Sequence, residues 1–152
     1  GRLERVASWG AIAADAPDFA RRVRALFDAT KHKTMATLRR DGSPRISGIE
    51  VEFGDDEIHV GMMPGSVKAL DVARDPRLAV HSASVDPPVT DPSAWVGDAK
   101  LSGVAVRVES AEGERFRIEV TEVVLTYVGT PADHLVIESW HPATGLRRRT
   151  RA

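Results

Sequence analysis

Between residues 35 and 84 lie two hairpin strands, a third strand, a short helix opened by Gly65-Ser66 and a fourth strand, the strands marked by apolar-polar alternation with a period of two, and the rest of the chain is organised around that stretch. Ile49, Val51 and Phe53 share one face of a strand and Glu50 and Glu52 the other, while Ile58, Val60 and Met62 alternate with His59, Gly61 and Met63. Asp41-Gly42 closes the first hairpin, because Gly tolerates the positive φ that such turns require. After the third strand Pro64-Gly65-Ser66 turns the chain into a short helix, where Ser66 can cap free backbone N–H groups and Lys68 lies in the first turn. A strand that runs into a capped helix start beside a lysine suits a phosphate. Gly-Ser also opens many helices that bind nothing, so the motif alone decides nothing.

A chain of 152 residues is long enough for one respectable core and too short for two ordinary domains. Its formal net charge of -1 gives no general pull toward nucleic acid or a membrane, so partners have to be argued locally. The absence of cysteine excludes disulfides, thiolate metal sites and a cysteine nucleophile, and suits a reducing compartment. No apolar run approaches the roughly 20 residues needed to span a bilayer, and the first residues lack an apolar signal core. A cytoplasmic protein is the expectation. The chain begins at Gly1 rather than Met, which reads as a trimmed or replaced start.

Residues 1–15 have weak helical potential, with Trp9 and Ile12 the large apolar groups after Leu3 and Val6; residues 1–16 are read as an N-terminal arm and 17–152 as a single domain. Pro17 suits the first position of a helix, and Phe19, Val23, Leu26, Phe27 and Thr30 form one apolar stripe, which predicts a helix over 17–30. Lys31-His32-Lys33 then reads as a solvated helix end whose cations favour the negative end of the dipole. Residues 86–98 carry Pro87, Pro88 and Pro92 and are predicted to be a loop, with Trp95 either anchoring it on the core or standing at a pocket or a subunit contact. Strands follow from residue 99. The alternation that starts at Phe116, Ile118 and Val120 changes phase near Thr121 and Glu122, as a bulge would make it. The last strand is predicted over 134–140, followed by the basic tail Arg147-Arg148-Arg149-Thr150-Arg151. About seven strands joined mostly by short turns, with flanking helices, favour an antiparallel barrel over a parallel sheet.

The usual chemical motifs are missing. The histidines 32, 59, 81, 134 and 141 show no paired metal-ligand spacing, and no GxSxG, GxxxxGK[ST] or GxGxxG occurs. His134 and Glu138, four apart in a strand, face one side but make half a site at most. The basic tail contains no aromatic residue on which a base could stack, which argues for a solvated terminus or a cation supply for one small anion rather than nucleic acid. Gly48 and Gly61 lie mid-strand, where Gly marks a bulge, a barrel corner or the close approach of a flat ring.

ATLRRDGSPR followed by a strand pair, then PGSVKALDVARDPRLAV, and ESWHPATGLRRRTR near the end, resemble the pyridoxamine 5'-phosphate oxidase-like split-barrel flavoproteins. They look most like the actinobacterial relatives that bind a deazaflavin, coenzyme F420. The resemblance covers about residues 30–150. It implies a mainly β, antiparallel split barrel of six strands, flanked by helices, which forms a homodimer with a cofactor site at each subunit junction. It places Ser47, Gly48, Ile49 and Glu50 along the isoalloxazine ring, Met62 and Met63 beside the cofactor, and Ser66 and Lys68 on its phosphate. Trp140 and Arg149 would reach the cofactor from the partner subunit.

The departures matter too. Where the oxidases carry an Arg and a Lys at the ends of a strand segment, this chain has SGIEVE, with Ser47 and Glu52 in their places, and their late Arg-Leu-His is Gly145-Leu146-Arg147 here. Pyridoxamine phosphate is therefore not the expected substrate. Two acids on the ring-facing strand also disfavour the phosphate of flavin mononucleotide (FMN), which tilts the expectation to F420. The expected activity is hydride transfer between reduced F420 and a small organic acceptor, the alternatives being an FMN-dependent oxidase or reductase and a non-catalytic flavin or deazaflavin carrier. No acid, base or metal ligand is assigned.

Overall fold

The computed structural model describes residues 5–152. In chain order the elements are α1 (Trp9–Asp15), α2 (Pro17–Asp28), β1 (Lys33–Leu38), β2 (Pro44–Ile49), β3 (Val51–Phe53), β4 (Ile58–Met62), α3 (Val67–Arg74), β5 (Arg77–His81), β6 (Asp98–Val108), β7 (Glu114–Val128), β8 (Leu135–His141) and β9 (Gly145–Arg151). The strands form one antiparallel sheet in the order β2-β1-β5-β6-β7-β4-β3, and β8 followed by β9 branches from β7.

The branch explains the shape. The first residues of β7, up to Arg117, pair with β4, whereas Val123 to Val128 pair with β8. Between the two halves Ser102 faces Glu122 and Gly103 faces Val120, which leaves Thr121 as the extra residue of a bulge. The change of phase seen in the sequence is this bulge. A Cβ on Gly103 would lie 2.3 Å from the Glu119 carbonyl oxygen, so the close approach of β6 to β7 requires glycine there.

One core fills the interior, and Ile49, Val51, Phe53, Ile58, Val60, Leu101, Ile118, Val120 and Leu125 supply much of it from the strands. α2 adds Phe19, Val23 and Phe27 from its apolar stripe and ends at Asp28, two residues short of the predicted end. From the segment read as an arm, residues 9–15 form α1, with Ser8 Oγ accepting from the Ala11 N–H. Trp9 and Ile12 are buried, and the Trp9 ring meets Phe53 edge-on at 4.9 Å. These residues are part of the core rather than an appendage. Leu3, which belongs to the same reading, lies outside the described residues.

The described residues form nine strands where about seven are predicted. The long second strand is interrupted at Glu50 into β2 and β3, and the basic tail is not a loose terminus but β9, paired with β8 through Arg151 opposite Leu135 and Gly145 opposite His141. The predicted loop holds a single 3-10 turn over Pro92–Ala94. Trp95 does not reach the core. Its indole N–H donates to the Val85 carbonyl at 2.6 Å and ties the loop to itself. No helix among the described residues is long and apolar enough to cross a membrane.

Candidate functional site

The split opens beside β2. Among the described residues this strand pairs only with β1, which leaves one edge without a strand partner. Along it lies an open cavity of about 850 Å³, lined by Gly48, Ile49, Glu50, Val51 and Glu52 on one wall and His59, Gly61, Met62 and Met63 of β4 on the other. Lys31, His32 and Lys33 close it from the junction of α2 with β1, Lys68 from α3, and Glu112, Gly113 and Arg115 from the start of β7.

Two glycines form its floor. Neither Gly48 nor Gly61 has a positive φ, and the pairing runs through both without a break. An added Cβ at either would meet no atom within 4 Å. Turn geometry, bulge and packing against the chain therefore all fail to explain glycine at these positions. What the two residues have in common is bare backbone facing the cavity, room that a flat molecule can use.

The helix that carries Lys68 is held by a buried carboxylate. Gly65, with φ at +72°, turns the chain off β4, and Ser66 Oγ accepts from the Ala69 N–H at 3.4 Å as the N-cap of α3. One turn further on, Asp71 Oδ2 accepts from Thr37 Oγ1 and Arg45 Nε, both at 2.7 Å, and Oδ1 accepts from Arg74 at 2.9 Å. Arg74 also donates to the Leu38 carbonyl. Burial pushes the Asp71 carboxyl up, but the hydrogen bonds from Arg45, Thr37 and Arg74 outweigh it and hold the group at about 2. α3 is thereby fixed to β1 and β2, and Lys68 Nζ donates to the Gly48 carbonyl at 2.9 Å.

The cavity balances its own charge. Lys31 lies 3.7 Å from Glu50, and Arg115 lies 3.5 Å from Glu52. Lys33, almost fully buried, donates to the carbonyls of Thr30 and Lys31 at the end of α2. The sequence alone sets the two glutamates against the phosphate of FMN. Each lies beside a cation from elsewhere in the chain, which offsets part of its charge toward a phosphate.

Of the residues expected at the site, Gly48, Ile49, Glu50, Met62, Met63 and Lys68 line one cavity. Ser47 and Ser66 do not, and Ser66 is engaged in capping. Trp140 is 5% exposed, and its indole N–H donates to Asp15 at 2.8 Å, which makes it a core residue pinned to α1 of its own chain. Arg149 stands exposed on β9, opposite Ile137 and outside the cavity. His134 bonds Asp133, and Glu138 accepts from Tyr127, so these two share no site. Sequence reasoning missed Lys31, His32, Lys33, His59 and Arg115. The basic triplet is the available signal, and its reading as a solvated helix end hides it.

No protein-family model matches the chain, and no curated protein sequence matches it. Solved structures do. A pyridoxamine 5'-phosphate oxidase-related, FMN binding protein from Nostoc punctiforme PCC 73102 is similar over 90% of this chain and 96% of its own, at 7% identity and a TM-score of 0.62. A heme binding protein from Mycobacterium smegmatis is similar over 86% of each chain, at 14% identity and a TM-score of 0.57. An F420 reductase is similar over 66% of this chain and 94% of its own, at 12% identity and a TM-score of 0.50. Identities this low show a shared fold: the chain has the mainly antiparallel, split-barrel architecture of the pyridoxamine 5'-phosphate oxidase-like proteins.

Proposed function

We propose that the cavity beside β2 holds a flat, anionic redox cofactor, and that the protein is an oxidoreductase passing a hydride between a deazaflavin of the F420 type and a small organic acceptor. The observation that carries this reading is the pair Gly48 and Gly61, two glycines within paired strands that leave bare backbone on the cavity, next to a lysine held by α3. The residues present suit such a molecule: bare backbone for the ring, Met62 and Met63 beside it, and Lys68 for a phosphate. Similarity of fold to an F420 reductase and to an FMN binding protein supports the same reading.

When bound, the deazaflavin supplies the two-electron hydride chemistry. The chain's own part is to place and enclose. The end of β2 at Gly48 and Ile49 supports the ring, Lys68 holds the anionic end, and Ile49 and Met62, both buried, keep water from the inner wall. In a homodimer Arg149 is the residue of the other copy available to close the site, since Trp140 is committed to Asp15.

FMN is the second reading, favoured by the pairing of Glu50 and Glu52 with cations. Titrating the purified protein with F420 and with FMN, and comparing dissociation constants, decides between them. Hemin belongs in the same series, since His32 and His59 put two imidazoles on the cavity wall. Turnover of the reduced, bound cofactor with candidate acceptors then separates an enzyme from a carrier. Binding of hemin alone, or of none of the three, overturns the proposal.

A further inference from the structure

Every cation on the cavity wall already has a partner, but the partners differ in how firmly they hold. Lys33 is buried and bonded to two carbonyls, and Lys68 makes a hydrogen bond of 2.9 Å. Arg115 reaches Glu52 across the strand that carries Gly61. Lys31 is the loosest. Its side chain is 75% exposed, and 3.7 Å from Glu50 is too far for a hydrogen bond. Exposed pairs of this kind contribute little and yield readily to a better anion.

Glu50 lies two residues beyond Gly48, a span of at most about 7 Å. Lys31 and Lys68 both line the cavity, one opposite the Glu50 carboxylate and the other on the Gly48 carbonyl two residues earlier in the chain. A phosphate offers more negative charge than a carboxylate and several acceptor oxygens, so it competes for both lysines, and the glutamate competes with it.

We infer that Lys31 and Glu50 form a self-blocked anion subsite: Lys31 is a ligand contact, and Glu50 occupies it as an internal competitor that sets how strongly the cavity prefers phosphorylated ligands. The inference rests on the reading of the cavity as a cofactor site and assigns to it a cation that none of its sequence motifs includes. Glu50 acts as a specificity residue. It leaves the ring alone and discriminates on the charge of the ligand's tail.

FMN and riboflavin share a ring and differ in the phosphate, so they separate the two contributions. Glu50→Gln is expected to tighten FMN about three- to tenfold and to leave riboflavin unchanged. Lys31→Ala is expected to weaken FMN by a similar factor, and in that background Glu50→Gln should no longer matter. An equal effect of Glu50→Gln on both flavins, or an effect that survives Lys31→Ala, overturns the subsite. If neither flavin binds the unmodified protein, the FMN reading fails by itself, and inorganic phosphate takes over as the probe. Amide shifts at residues 48–51 that respond to phosphate more strongly in Glu50→Gln than in the parent support the subsite. No such difference overturns it.

Discussion

Lys68 Nζ and the Gly48 carbonyl, 2.9 Å apart, join the first turn of α3 to the open edge of β2. The lysine spans the margin of the cavity instead of extending into solvent, so its charge is already localised where an anion would arrive. Lys68→Ala removes one charge-assisted contact. The favoured cofactor is expected to weaken by about 1.5 to 3 kcal/mol, the worth of a hydrogen bond to a charged group. A fluorescence titration reads this directly, and unchanged affinity removes Lys68 from the site.

Gly48 and Gly61 allow stability and binding to be separated. With open space where each Cβ would project and no positive φ, Ala at either position fits the protein itself. Gly48→Ala and Gly61→Ala are expected to leave stability unchanged or raise it by about 0.4 to 1 kcal/mol, through the unfolded chain. Cofactor affinity should fall by about 1 to 3 kcal/mol, the usual cost of overfilling a packed site. Thermal melts and titrations on the same samples check both. A variant that melts lower and binds normally would return the glycines to a structural role.

The features legible in the sequence were those written in neighbouring residues. The Asp41-Gly42 turn, with Gly42 at a φ of +85°, Pro17 opening α2, Ser66 capping α3 and the bulge at Thr121 each follow from a local signal. β9 was hidden because GLRRRTR has no apolar alternation; an edge strand with little to bury is defined by its pairing with β8, not by composition. α1 was hidden because seven residues carry too short a period, although Ser8 ahead of Trp9 and Ile12 was a usable cap signal. At the site, Lys31 and Arg115 were invisible for a topological reason. Each comes from an element distant in sequence from the strand whose glutamate it meets.

Trp140 offers a test of that reassignment. It touches Asp15 across 125 residues of chain and is buried, so its role is to hold α1 against β8. Trp140→Phe keeps most of the volume and gives up the indole hydrogen bond, at an expected cost of about 1 kcal/mol; Trp140→Ala is expected to cost about 3 to 5 kcal/mol. Urea denaturation measures both. Cofactor affinity of the folded Phe variant should match the parent, and a tenfold loss would put the indole back at a ligand.

Asp71 predicts an acid limb in the stability curve. Its folded value of about 2 lies below the ordinary 3.8, because hydrogen bonds from Arg45, Thr37 and Arg74 exceed the opposing effect of burial. A carboxyl depressed on folding contributes its stability in full above the unfolded value and loses it as the pH falls through the folded one. The window therefore runs from about pH 4 down to about 2. At roughly 1.4 kcal/mol per pH unit the contribution is about 2.5 kcal/mol. Asp71→Asn removes the titration and leaves Arg45 and Arg74 facing a neutral group, a loss expected to reach about 3 to 5 kcal/mol near neutral pH. Urea midpoints of parent and variant, followed from pH 6 to pH 2, should converge as the acid side is approached, with Asp41, Asp75 and Asp133 titrating alike in both. Parallel curves across that range would show that the network gains nothing from the charge of Asp71.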